Sequence, residues 1–152
     1  MNTTIIPPFD VIGIAVRTTN ENGQSAKDLG NLWARFMTEK IADKIPNKVD
    51  HSIYCIYTDY EKDFTKPYTA IIGCKVERLD EIPEGLTGKR IQGAEYAKFI
   101  AKGNDMQKMV GEAWYTIWNT DLARKYTADF EVYSEKSYRT EGAEVDIYVS
   151  VG

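Results

Sequence analysis

Leu29-Gly30-Asn31-Leu32-Trp33 and, later in the chain, Val110-Gly111-Glu112-Ala113-Trp114 are the two stretches whose reading decides the fold. Each places a glycine three residues before a tryptophan. Each also lies in an apolar series at helical spacing: Leu29, Leu32, Trp33 and Phe36 in the first, Met109, Val110, Ala113, Trp114, Ile117 and Trp118 in the second. A helical glycine is unfavourable by roughly 1 kcal/mol relative to alanine. Its use at the same place twice implies that backbone approaches closely at both sites.

Working outward, each helix is flanked by strand-like runs in the same order. Phe9 to Val16 is β-rich and follows Pro7-Pro8. Ser25 and Asp28 have the spacing of a capping box, and the first helix is expected to run to about Lys44, ahead of Ile45-Pro46. Ser52–Thr58 and Tyr68–Val76 read as a hairpin across the charged turn Asp59–Lys66. After a connector from Glu77 to Lys89 the order recurs: a strand around Ala94–Ile100, a helix capped by Asn104 or Asp105, then strands at Ala128–Ser134 and Val145–Val151. The expected fold class is α+β: tandem strand-helix-strand-strand repeats, about residues 8–77 and 89–152, forming an antiparallel sheet with two helices on one face. A seam between two such halves is a common place for a pocket.

With 152 residues, 43% hydrophobic and 28% charged, the chain fits one folded soluble domain. A net charge of −4 without a basic run argues against direct nucleic-acid binding. Met1 to Pro8 has no basic, apolar signal-peptide pattern, and no later run is long enough to cross a membrane. Cys55 and Cys74 form no metal or redox motif, so a cytoplasmic protein with reduced thiols is expected, the two lying near each other on the paired strands. His51 reads as surface or strand edge, and Asp59-Tyr60-Glu61-Lys62-Asp63 as a solvated turn without calcium-loop spacing. No cofactor or metal is called.

Ala128-Asp129-Phe130-Glu131-Val132-Tyr133 carries the candidate chemistry. Strand alternation puts Phe130 and Val132 on one face, as core, and Glu131 and Tyr133 on the other. Facing solvent, Glu131 is an ordinary outward charge; covered by aromatic residues, it is a buried anion in need of a partner. Tyr57 occupies the place of Tyr133 in the first repeat and points the same way as Glu131. The helical Trp33, Trp114 and Trp118 are placed to fill the core, line a pocket, or both.

Phe9-Asp-Val-Ile-Gly-Ile, Asp28-Leu-Gly-Asn-Leu-Trp-Ala-Arg-Phe, Tyr54-Cys-Ile-Tyr-Thr-Asp-Tyr-Glu, Tyr96-Ala-Lys-Phe, Trp114, Asp129-Phe-Glu-Val-Tyr and Asp146-Ile-Tyr-Val, in that order, resemble the GyrI-like, or bacterial transcription-activator effector-binding, family. The resemblance covers nearly the whole chain and implies a pocket for small cationic or aromatic molecules, with Glu131 as its acidic residue. It adds Tyr96 and Tyr148 to Tyr57, Tyr133, Trp33, Trp114 and Trp118 as expected ligand-binding residues. No DNA-binding segment is recognised, so the chain looks like a stand-alone effector-binding protein, similar to those on mobile gene cassettes, with any DNA-binding function supplied by a protein partner. The alternatives within the resemblance are a hydrolase of reactive natural products using the same pocket, and a protein inhibitor of a larger enzyme. No Ser-His-Asp or Cys-His arrangement is evident, which favours a binding role over catalysis.

Overall fold

The computed structural model describes residues 3–152; the leader reading of Met1 to Pro8 thus begins outside the described residues. Eight strands form one antiparallel sheet: β1 (Thr3–Ile6), β2 (Phe9–Thr18), β3 (Ile53–Thr58), β4 (Tyr68–Val76), β5 (Thr87–Ile91), β6 (Ala94–Gly103), β7 (Arg124–Tyr133) and β8 (Ala143–Val151). Helix α1 (Gln24–Thr38) and the short α2 (Ile41–Lys44) follow β2, and α3 (Met106–Trp118) follows β6. The spatial order is β1-β6-β8-β7-β3-β4-β2-β5. Each half contributes a strand-helix-strand-strand unit, and the halves meet along β3 and β7, where Cys55 stands opposite Glu131 and Tyr57 opposite Asp129.

The connections force this sheet to curl. β1 and β2 lie six strand positions apart, about 28 Å in a flat sheet at 4.7–4.9 Å per strand. Only Pro7-Pro8 joins them, and that link spans at most about 11 Å. β5 and β6 are equally separated and joined only by Gln92-Gly93. The sheet edges must therefore approach. The two links lie side by side: a Cβ on Gly93 would sit 2.8 Å from Pro8 Cδ. Glycine is also required where Gly13 faces Gly73 on β2 and β4, since a Cβ on either would collide with the carbonyl of Ile72 or Ile12 across the pair.

Both helices cover one face. Leu32 and Phe36 of α1 and Met109 and Ile117 of α3 bury against Ile12, Ile14, Cys55, Ile72, Val145, Ile147 and Val149. The other face closes on itself around Phe9, Val11, Ile56, Ile71, Tyr96 and Phe130. β4 is buried on both sides, which explains its nearly unbroken apolar run.

Several local expectations are corrected. α1 stops at Thr38 because Lys40 adopts a left-handed conformation (φ 49°), and α2 restarts in a new direction. Its N-terminus is Gly23, without a side-chain cap; Asp28 instead accepts from Thr18 Oγ1 at 2.8 Å and Gln24 Nε2 at 2.9 Å. In α3, Asp105 caps the Lys108 amide at 3.1 Å. Among the described residues, and outside their own helices, Gly30 and Gly111 have nothing within 4 Å of a notional Cβ, so no other backbone approaches them closely; the glycines pressed against a neighbouring strand's carbonyl are Gly13 and Gly73. β1, where no element was expected, and β5, most of which was read as connector, are edge strands. Cys55 and Cys74 are both free and buried.

Candidate functional site

The helix-covered face of β7 carries two buried carboxylates, Asp129 and Glu131, at 0% and 2% exposure. Their environments differ in the respect that decides their chemistry. Asp129 has a counter-charge: Arg124 Nη2 lies 2.7 Å from Oδ2, with Tyr60 donating at 2.6 Å and the Ser150 amide donating to Oδ1 at 3.0 Å. Among the described residues, Glu131 has only neutral donors. Tyr57 Oη donates to Oε2 at 2.8 Å, Trp114 Nε1 to the same oxygen at 2.7 Å, and Tyr133 Oη to Oε1 at 2.7 Å.

Burial raises the pKa of Glu131 above the ordinary 4.5, and the three donors pull it partly back. Burial likewise pushes the phenols of Tyr57 and Tyr133 far up, with the neighbouring Glu131 charge adding to the effect, so both stay protonated and keep donating. Cys55, opposite Glu131 on β3, is raised for the same two reasons. An ionised carboxylate held by neutral dipoles alone is expensive in a low-dielectric setting.

Over these groups lies a cavity of about 190 Å³. Tyr57 and Trp114 form its wall towards Glu131, their rings at right angles (89°) with centroids 5.6 Å apart. Leu29 of α1 and Gly111 of α3 line it from the two helices, and Tyr68 of β4 and Arg124 of β7 complete it. Trp118, 45% exposed, stacks on Phe64 at 5.8 Å at its rim. Glu131 itself does not line the cavity; it lies behind the polar ends of Tyr57 and Trp114.

The structure thus brings Glu131, Tyr57, Tyr133 and Trp114 into one hydrogen-bonded cluster. Trp33 touches that cluster through Tyr133, ring centroids 5.0 Å apart. Trp118 joins the cavity rim. Tyr96 and Tyr148 do not join: both pack on Phe130, at 5.2 and 5.0 Å, on the opposite face of the sheet. The sequence reading missed Tyr60 and Phe64, placed in a supposedly solvated turn: Tyr60 packs on Tyr68 and Tyr126, and Phe64 on Trp118 and Tyr126, and both line the cavity. It also missed Arg124 and Asp129. Their pairing depends on a register irregularity in β7 between these two residues, and Tyr126 inside it adopts φ 56°.

An apolar-walled cavity with a few convergent polar groups, set at the junction of two like halves, is the form of a small-molecule binding site. The model of the Cass2 family, integron-associated effector binding proteins, matches residues 4–151. The chain belongs to that family. It is 30% identical to an integron cassette protein from the mobile metagenome of Vibrio cholerae, with TM-score 0.77 and coverage of 99% of this chain and 95% of that one. It is 27% identical to the putative transcriptional regulator YobU of Bacillus subtilis, over 91% of this chain and 89% of the relative. The structure of SAV2435 bound to tetraphenylphosphonium shares the fold at TM-score 0.76 and 16% identity, covering 99% of this chain and 93% of that one.

Proposed function

We propose that this protein binds small amphipathic aromatic cations in the cavity between α1 and α3, with Glu131 as counter-charge. The observation that carries the reading is the contrast on β7: Asp129 is paired with Arg124, whereas Glu131, equally buried, is met among the described residues by the neutral donors Tyr57, Trp114 and Tyr133 and by no cationic side chain. A cation entering beside Tyr57 and Trp114 would complete the missing charge. Each ring adds about 0.5–2 kcal/mol of cation–π attraction, depending on desolvation. The complex of SAV2435 with tetraphenylphosphonium supports the choice of probe. Tyr133 and Trp33 support the carboxylate from behind, and Trp118 shapes the rim; Tyr96 and Tyr148 belong to the far-face core in this reading. The role is that of a cytoplasmic effector- or drug-binding module, and any transcriptional output would come from a protein partner.

Glu131→Gln separates charge from shape. The Gln carbonyl can still accept from Tyr57 and Trp114, and its amide can donate to the Tyr133 hydroxyl, so the fold is expected to survive. Calorimetric titration with tetraphenylphosphonium is expected to show a loss of roughly 1.5–3 kcal/mol, the range for contacts with a charged group. A neutral aromatic of similar size should lose much less. Equal phosphonium affinity in both proteins would remove Glu131 from the site.

A further inference from the structure

Glu131 is the charge that a bound cation would meet, and it also needs balancing while the cavity is empty. The carboxylate is 2% exposed and lies behind the rings of Tyr57 and Trp114, out of reach of bulk water and its ions. Tyr57 and Trp114 share Oε2, at 2.8 and 2.7 Å, whereas Tyr133 alone meets Oε1, at 2.7 Å. Among the described residues, the side chains packed around this cluster bring it no cation. Cys55 stands opposite on β3, its thiol 3.4 Å from the Tyr57 hydroxyl, and Ile147 stands opposite on β8. Trp33 of α1 packs on Tyr133, and Tyr68 of β4 on Tyr57. Asp129, two residues along β7, is matched by Arg124, and Asp28 of α1 adds only negative charge near Tyr68.

A buried carboxylate without a counter-ion sheds its charge by taking up a proton. The hydrogen bonds show which oxygen can carry it. Trp114 Nε1–H only donates, so Oε2 remains an acceptor in either state of Glu131. A phenol hydroxyl can turn from donor to acceptor. Oε1, met by Tyr133 alone, can therefore hold the proton, with the direction of that 2.7 Å bond reversed. Burial favours the neutral form of Glu131. Burial also keeps the Cys55 thiol and the phenols of Tyr57, Tyr68, Tyr133 and Tyr138 protonated past neutral pH, so none of these groups exchanges protons in the acid range.

Resting on the reading of the cavity as a cation site, we propose that the site exchanges one cation for another: empty, it holds a proton between Glu131 Oε1 and Tyr133, and filled, it holds an organic cation beside an ionised Glu131. One proton leaves to solvent as one ligand enters. A positive charge beside Tyr57 and Trp114 favours the ionised carboxylate behind them. The sign follows. Below the pH at which the empty site ionises, binding must expel the proton, so affinity rises with pH. Above it the carboxylate is already charged, and affinity levels off.

Tetraphenylphosphonium is the probe, because its charge is permanent and it has no proton to lose. Its affinity for the wild type should weaken by up to about tenfold for each pH unit below the ionisation of the empty site, the slope for one linked proton. Calorimetric titration at acid pH, in buffers of different ionisation enthalpy, should show release approaching one proton per ligand, falling to none on the plateau. Glu131→Gln should bind more weakly and with no such slope. It keeps Asp28, Asp129 and the exposed His51, so a slope due to any of these would survive in it. If this variant fails to fold, the wild-type Trp114 Nε1–H resonance reports on the carboxylate it touches. In the empty protein it should titrate above the ordinary 4.5, and saturating phosphonium should move that midpoint to lower pH. Phosphonium binding without proton release, a slope retained in Glu131→Gln, or an unmoved midpoint overturns the exchange and leaves the cation site standing. No binding to the wild type at any pH overturns the cation reading, and the exchange with it.

Discussion

Asp129 and Glu131 show how two carboxylates on one strand face come to behave differently. Asp129 is paired with Arg124 at 2.7 Å. Glu131 has three neutral donors and a pKa raised by burial. The sign of its effect on stability follows. Because the folded state holds the Glu131 proton to higher pH than the unfolded chain does, the folded state binds more protons in the window above 4.5, and stability falls as pH rises through it. Below that window the two states are equally protonated at this site and the full contribution is present. Glu131→Gln has no such titration. Denaturant unfolding of both proteins across the acid-to-neutral range should therefore show the variant gaining on the wild type as pH increases. Parallel curves would mean that Glu131 ionises equally easily folded and unfolded. Glu131 was legible in the sequence as a single carboxylate between apolar neighbours. Arg124 was not, because no periodicity marks a residue whose partner is brought to it by a strand irregularity.

At the scale of elements, Gly111 and Gly73 both lie inside regular secondary structure, the first exposed on α3 and the second buried in β4, and only Gly73 is needed for the fold. The helical glycines were the clearest sign of the repeat in the sequence, but the reason inferred for them, close packing, is corrected by the structure. A Cβ at Gly111 meets nothing within 4 Å, and the residue lines the cavity from α3. Gly111→Ala should stabilise the protein by roughly 0.5–1 kcal/mol, the helical preference for alanine over glycine. Gly111→Leu should retain folding but intrude on the cavity, weakening tetraphenylphosphonium binding about tenfold or more, on the scale of a 1–3 kcal/mol overpacking penalty. Gly73→Ala, by contrast, drives a methyl group into the Ile12 carbonyl and should cost about 3 kcal/mol or more. Thermal melts and titration of the three variants separate these roles. If Gly111→Leu binds as the wild type does, the ligand does not pass over α3. The other strands and the two long helices followed from alternation and helical spacing; α2 was not separated from α1, and β1 and most of β5 were missed. Their residues are short and mostly exposed, and a sheet edge has little burial to impose a pattern.

For the whole molecule, the important contact is the seam. Apart from the closing edges, the halves join through the β3–β7 ladder, and the cavity lies above that ladder with walls from both. Leu29, Tyr57 and Tyr68 come from the first half, and Gly111, Trp114 and Arg124 from the second. A ligand there touches both halves at once, so its binding energy stabilises their association and not one unit alone. At a concentration of 100 Kd, ligand binding only to the native state adds about 2.7 kcal/mol. For a chain of this size that corresponds to a rise of roughly 5–10 °C in Tm. The distribution of the effect is the sharper test. Hydrogen exchange with and without tetraphenylphosphonium should slow in α1 and α3 together, and in β3 and β7 beneath them, with the far edges β1 and β5 less affected. Protection confined to α3 and β7 would show that the ligand rests on the second half only. In that case Leu29 and Tyr68 would drop out of the site, and the seam would be a structural junction instead of the place where the two repeats share a function.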